Sequence, residues 1–379
     1  MSLNRRARWV VPGAVVAVTA AVIAALQIPA AQASPDLPGR TPAQLLASLS
    51  SDTKLPPLTG TVVETASLGL PQLPQTGNAN SLTSLLTGSH TMKVYYQDGS
   101  HYRLAIPQPE SETDLIADGT KLWLWQSSSD SVTEFTGTGS SNTGATRPMT
   151  PSAADLTPQQ AANEVLASVG KTTVVSVQAN VMVANQPSYQ LVLAPKDSRS
   201  LVGRVVIAID GKYGVPLRVQ LYAKGAPSPA FQVGFTDLQF VAPSTANFSF
   251  APPPGSSVTV EKPAAEKHGS QDTSGFGVYG SGWLTVAAFP EKDLGEGFGT
   301  GAAASGKQPD IASAGSQGVG VSSQEILNVL LGSGKPVHGS WGSGTLVTSS
   351  LVSMLISNGE VYVGAVKPSV LEAAVGHTS

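Results

Sequence analysis

What most constrains this chain is a long succession of short segments in which apolar and polar residues alternate, each closed by residues that favour a tight turn. Alternation at a period of two sends one set of side chains inward and the other outward along a strand, and a helix cannot satisfy it. Such segments fall near 58–68, 89–97, 100–107, 112–118, 121–127 and 131–136, then near 171–184, 188–194, 200–210, 215–224 and 229–240. Asp98-Gly99, Asp118-Gly119 and Asp210-Gly211 separate neighbouring segments, and pairs of this type tolerate the positive φ of a two-residue hairpin. A mainly β, antiparallel fold is expected.

Helices are few. Thr41-Pro42 predicts an N-cap followed by proline at the first helical position, with Leu45, Leu46 and Leu49 on one face and Pro56-Pro57 as the stop. Thr157-Pro158 opens a second helix with Ala161, Ala162, Val165, Leu166 and Val169 at helical spacing, ended by Gly170. A polar insertion at 71–88, carrying Leu82, Leu85 and Leu86, and a Gly/Ser/Thr/Asn stretch at 137–150 are read as loops. Ala251-Pro252-Pro253-Pro254-Gly255 closes the β region, so a boundary is expected near 260.

Beyond it the chain is rich in Gly, Ser and Ala to about 320, with one strand-like island at 282–289. Residues 323–331 fit a short helix, 345–356 and 360–366 flank the hairpin pair Asn358-Gly359, and Pro368 to Val375 fits a helical turn or two. The expected organisation is 1–33, an export signal; 34–260, the β domain; 261–322, a linker with one strand; and 323–379, a small C-terminal α+β hairpin module.

The export signal rests on Arg5, Arg6 and Arg8, an uncharged run from Trp9 to Ala31, and Ala31-Gln32-Ala33, which suits cleavage after Ala33. The alternative is an uncleaved membrane anchor, since ~20 apolar residues can span a bilayer. Either way the mature chain is expected outside the cytoplasm. It holds no cysteine, which excludes lipidation through a cysteine, a thiol nucleophile and a thiolate metal site. With 22 basic against 25 acidic residues there is no concentrated positive charge for nucleic acid.

Catalytic patterns are missing. No two of His90, His101, His268, His338 and His377 have the i, i+4 spacing of ligands on one helix face, and no Gly-x-Ser-x-Gly elbow occurs. Gly275-Phe-Gly277-Val-Tyr-Gly280 matches a dinucleotide fingerprint, but it precedes a strand instead of linking a strand to a helix. A non-enzymatic role without cofactor or metal is expected. The strands are instead apolar beyond ordinary need. Trp123 and Trp125 share one face while Leu122 and Leu124 take the other, and Tyr102, Leu104 and Ile106, like Phe231, Val233 and Phe235, alternate. A strand apolar on both faces must be covered on both. Helices and loops can do this as ordinary core, or a cavity can remain for a hydrophobic guest.

The stretch His101-Tyr-Arg-Leu-Ala-Ile-Pro107, then Leu115-Ile-Ala-Asp-Gly-Thr-Lys-Leu-Trp-Leu-Trp125 and Val132-Thr133, resembles the LolA-like lipoprotein carriers and the RseB N-terminal domain. Tyr189 to Pro195, Ile207 to Asp210, Gly214 to Arg218 and Phe248 to Gly255 follow in the order that superfamily has, so the likeness spans roughly 41–260. It implies a strongly curved antiparallel sheet, an incomplete β-barrel plugged by short helices, whose chamber holds acyl chains. On that basis Leu104, Ile106, Trp123, Trp125, Val219, Leu221, Phe231, Val233 and Phe235 are the expected lipid-binding residues, ordinary core packing being the alternative for each. Three roles stay open: a carrier or chaperone for lipid or lipoprotein acyl chains, an envelope-stress regulator that binds a membrane anti-sigma factor, and an enzyme or structural surface protein that reuses the fold. The segments 71–88, 137–150 and 261–379 have no counterpart in the simple carriers.

Overall fold

The computed structural model describes residues 35–50, 55–68, 87–136, 170–261, 276–291 and 332–376. The expected export signal, the helix after Thr157-Pro158, the 137–150 loop, the 323–331 helix and most of the 71–88 insertion lie outside these residues. Helix α1 (Pro42–Ser50) starts as its sequence dictates. The Gln44 N–H donates to Thr41 Oγ1 at 3.3 Å and the Thr41 N–H donates to Gln44 Oε1 at 2.8 Å, a reciprocal cap on the first turn.

Twelve strands build one large sheet: β1 (Leu58–Ser67), β2 (Thr87–Asp98), β3 (His101–Pro107), β4 (Glu112–Asp118), β5 (Lys121–Gln126), β6 (Ser131–Thr136), β7 (Thr173–Val183), β8 (Gln186–Pro195), β9 (Val202–Asp210), β10 (Pro216–Ala223), β11 (Phe231–Gln239) and β12 (Ser257–Glu261). Their order is β12-β6-β5-β4-β3-β2-β1-β11-β10-β9-β8-β7, so two meanders meet where β1 pairs with β11. The sheet is curved and does not close into a barrel. Of the three Asp-Gly pairs only Asp118-Gly119 gives the expected positive φ at its glycine, 68°; after Asp210 the turn is longer and the positive φ falls on Gly214, at 71°. Asp210 Oδ2 accepts the N–H groups of Lys212 at 2.9 Å and Tyr213 at 2.5 Å, which closes the turn into β10.

Strand β12 departs from the sequence expectation, which ended the β region in the proline run. Beyond Gly255 the Ser257 N–H donates to Asp130 O at 2.8 Å, and β12 then pairs with β6 in parallel, Val258 beside Val132 and Val260 beside Glu134. A parallel partner so distant in sequence has no hairpin signal to announce it.

Register fixes which side chains share a face. Val62 lies beside Met92 and Phe235, Val219 beside Val233 and Ile207, and Leu191 beside Ile207 and Val177. These residues gather with Leu45 and Leu49 of α1 into the main hydrophobic core. The face that α1 covers is called the inner face below.

A second sheet follows, of β13 (Gly277–Tyr279), β14 (Val286–Pro290), β15 (Lys335–Gly339), β16 (Gly342–Thr348), β17 (Ser353–Ser357) and β18 (Glu360–Gly364), ordered β13-β14-β18-β17-β16-β15. Helix α2 (Pro368–Val375) buries Leu371, Ala374 and Val375 against Leu355, Tyr362 and Ala288 on one side of it. Asn358 and Gly359 take φ of 55° and 77° in the expected hairpin. The 345–356 segment is two strands and not one, because Ser349 Oγ accepts from the N–H groups of Leu351 at 3.3 Å and Val352 at 3.0 Å and turns the chain. The strand-like island becomes β14 and pairs with β18, so residues on both sides of the long Gly/Ser stretch share one sheet.

The small sheet touches the large one through more than its linker. The Leu201 N–H donates to Ala365 O at 2.9 Å, the Lys367 N–H to Arg199 O at 2.8 Å and the Ser350 N–H to Leu68 O at 3.1 Å. Trp283 Nε1 donates to Thr173 Oγ1 at 2.8 Å.

Candidate functional site

The nine residues expected to line a chamber divide between the two faces of the large sheet. Leu104, Ile106, Val219, Leu221, Phe231, Val233 and Phe235 all fall on the inner face. Within that set Val219, Val233 and Phe235 are buried in the main core, while Leu104, Ile106, Leu221 and Phe231 are partly buried and pack against its edge. Trp123 and Trp125 point the other way. Their cross-strand neighbours are Ile116 and Asp114 on β4, and Glu134 and Val132 on β6. Phe250 covers both indoles, with ring centroids at 5.6 Å from Trp123 and 6.5 Å from Trp125.

This cover comes from the segment between β11 and β12, which crosses the outer face. Its Phe248 is buried and stacks near the His101 ring at 6.1 Å, one residue pair before Phe250 reaches the tryptophans. The alternation Phe248-Ser249-Phe250 is the sequence signal that marks it.

Once the Trp pair is assigned outward, the leucines beside it must face inward. Leu124 lies beside Leu115 and Leu115 beside Leu104, while Phe135 neighbours Leu122. Leu104, Ile106, Leu115, Leu124 and Phe135 therefore form an apolar strip over β3 to β6, every member partly exposed. Leu115, Leu124 and Phe135 belong to none of the hydrophobic clusters of the described residues. Sequence reasoning set Leu124 on the face opposite the tryptophans but counted none of these three among the lipid-binding residues.

Two polar groups sit on the inner face at one end of the strip: Glu64, which is buried, and His90 opposite it on β2. Burial lowers the His90 pKa, which favours the neutral ring. The outer face holds a tighter charge cluster. An Arg103 nitrogen contacts Asp114 Oδ2 and lies 3.3 Å from Glu112 Oε1. Asp114 is 1% exposed and its Oδ1 is buried without a hydrogen-bond partner among the described residues. Burial, with Glu112 beside it, pushes the Asp114 carboxyl up to about 7 against the pull of Arg103. Lys121 pairs with Glu134 at 2.9 Å on the same face. Among the described residues no group of three or more His, Asp or Glu side chains could hold a metal ion, and no helix is long and apolar enough to cross a membrane.

No family model matches the chain, and no curated protein does. Solved structures do. The chain is 12% identical to MucB of Pseudomonas aeruginosa in its complex with MucA, over 88% of this chain and 96% of that one, with a TM-score of 0.42. An uncharacterized conserved protein from Thermus thermophilus is 10% identical over 58% of this chain and 99% of its own, at a TM-score of 0.32. The LolA superfamily protein NE2245 from Nitrosomonas europaea is 10% identical over 56% of this chain and 99% of its own, at 0.21. The neighbours are of the LolA and MucB kind. LolA and MucB proteins are also the ones that the stretches 101–133 and 189–255 resemble, and at these scores the likeness carries no weight on function.

Proposed function

We propose that this chain is an exported, non-enzymatic carrier or chaperone that holds acyl chains against the inner face of its large sheet. The observation that supports this most is the partly exposed strip Leu104, Ile106, Leu115, Leu124 and Phe135. Apolar side chains left on the inner side of a curved sheet lose favourable burial unless something apolar covers them. Each methylene of a guest laid there gains about 0.8 kcal/mol, so a long acyl chain needs no hydrogen bond to be retained. Leu221 and Phe231 continue the surface toward β10 and β11, while Val219, Val233 and Phe235 act as its foundation in the core.

The test is native mass spectrometry of the chain purified gently from a cell envelope, before and after organic extraction. A discrete added mass that extraction removes and that matches acyl lipids is expected. Leu124→Glu, on the partly exposed strip, is expected to lower that occupancy at unchanged fold. A clean unliganded mass that takes up neither lipids nor acylated peptides would sink the reading.

The second reading is an RseB-like regulator that binds a membrane-bound anti-sigma factor. It is favoured by the six-stranded sheet, whose exposed edge and docking on the 197–201 turn exceed what holding a lipid requires. A pull-down from detergent-solubilised envelope separates the two: a single membrane partner supports the regulator, a spread of lipoproteins the carrier.

A further inference from the structure

The outer face of the second meander carries an arginine whose setting neither reading uses. Arg218, on β10, lies between Gly234 of β11 and Ala208 of β9, its direct neighbours in register. Neither carries a side chain larger than a methyl group. A Cβ at Gly234 would come within 2.8 Å of Arg218 Cγ and 2.9 Å of its Cβ, so the absence of a side chain there lets the arginine stem lie against the sheet. Its Nε is buried and has no hydrogen-bond partner, and Arg218 forms no ion pair among the described residues. Burial lowers its pKa, the sign of a cation set in poor solvent.

The next position along the same face holds a second donor. Gln220 Nε2 donates to Gln232 Oε1 at 2.7 Å, which leaves the Gln232 amide nitrogen without an acceptor among the described residues. Beyond it Arg204 lies over the Tyr222 ring at 3.8 Å, so a second guanidinium borders the patch. By contrast, Arg103 on the first meander touches two carboxylates and Arg199 is held by Asp197 at 2.8 Å. Arg218 as a whole is only half-buried, so its guanidinium nitrogens other than the covered Nε meet the surface, and the groups that suit such a planar cation best are oxyanions, held by charge-assisted bonds.

We propose that Arg218, cradled by Gly234 and Ala208 and flanked by Gln220 and Gln232, is an oxyanion-binding site on the outer face of the large sheet. Its ligand is a phosphate group, carried either by a soluble ion or by a lipid headgroup. The site stands on the side opposite the acyl-binding strip, so it is independent of the proposed carrier function.

Calorimetric titration of the full chain with inorganic phosphate is the first arm, and flotation with phosphatidylglycerol or phosphatidylcholine vesicles the second. Saturable phosphate binding is expected, weakened on the order of tenfold or more in Arg218→Gln, the loss of one charged hydrogen-bonding partner. Arg218→Lys, which keeps the charge and loses the fork, is expected to bind between the two, and it carries the comparison if Arg218→Gln does not fold. Phosphate binding without flotation supports a soluble oxyanion. Flotation with phosphatidylglycerol alone, reversed by phosphate and lost in the variant, supports a headgroup. No phosphate binding by the parent chain, or equal binding by all three proteins, overturns the site.

Discussion

Replacing Asp114 by Asn should flatten part of the pH dependence of stability, and the size of the effect follows from the setting of that carboxyl. Asp114 is 1% exposed, and its pKa rises from 3.8 to about 7 through burial first and the neighbouring Glu112 second. The other charges near it are Arg103, in contact, Lys93 two strands away on β2, and the Lys121–Glu134 pair farther along β5 and β6. The 241–256 segment that crosses this face contains no charged residue. Because the folded pKa lies above the unfolded one, the folded state keeps a proton that the unfolded chain has released. The stability this group contributes is full below the unfolded pKa and is lost as pH rises toward 7. At ~1.4 kcal/mol per pKa unit the full swing is about 4 kcal/mol, of which about 2 kcal/mol falls between pH 5 and pH 7. Urea unfolding at pH 5, 6, 7 and 8, followed by the fluorescence of Trp123 and Trp125 next door, measures this as the difference between parent and variant. Asp210, raised by burial, and His90, lowered by it, titrate alike in both proteins and cancel. The parent should lose stability relative to Asp114→Asn as pH rises. If it gains instead, Arg103 holds Asp114 ionised and the reasoning fails.

Two further substitutions test the packing. Gly60→Ala places a Cβ 2.7 Å from Asp237 O and 2.9 Å from the Phe235 ring, so a loss of about 1–3 kcal/mol in chemical denaturation is expected; a neutral outcome would mean that β11 shifts freely. Leu371→Ala empties a fully buried position of α2 and should cost about 2–5 kcal/mol, read as earlier protease cleavage within 332–376.

The parts of the fold legible in the sequence are those written in local chemistry. Period-two alternation broken by Asp-Gly pairs placed the strands from 58 to 240 within a residue or two, and Thr41-Pro42 placed α1. What could not be read was long-range. Strand β12 finds β6 by parallel pairing, and nothing between Gly255 and Glu261 announces that partner. The candidate site suffers from the same limit. Leu122-Trp123-Leu124-Trp125 is apolar on both faces, so alternation separates the tryptophans from the leucines without saying which set lies inside. That is decided by Phe250, more than a hundred residues later, which covers the indoles and leaves the leucines to the inner face.

The junction of β1 with β11 also sets how this chain must assemble. Strands β2 to β6 and β7 to β11 each pair with their neighbours in sequence and can form while the rest of the polypeptide is still being made. β1 has one early partner, β2, and its other edge stays open until Phe235 arrives to meet Val62. Throughout that interval an unsatisfied strand edge and an apolar inner surface are exposed together, the combination that invites pairing with a foreign strand. The yield of folded chain should therefore depend on how quickly the second meander follows the first.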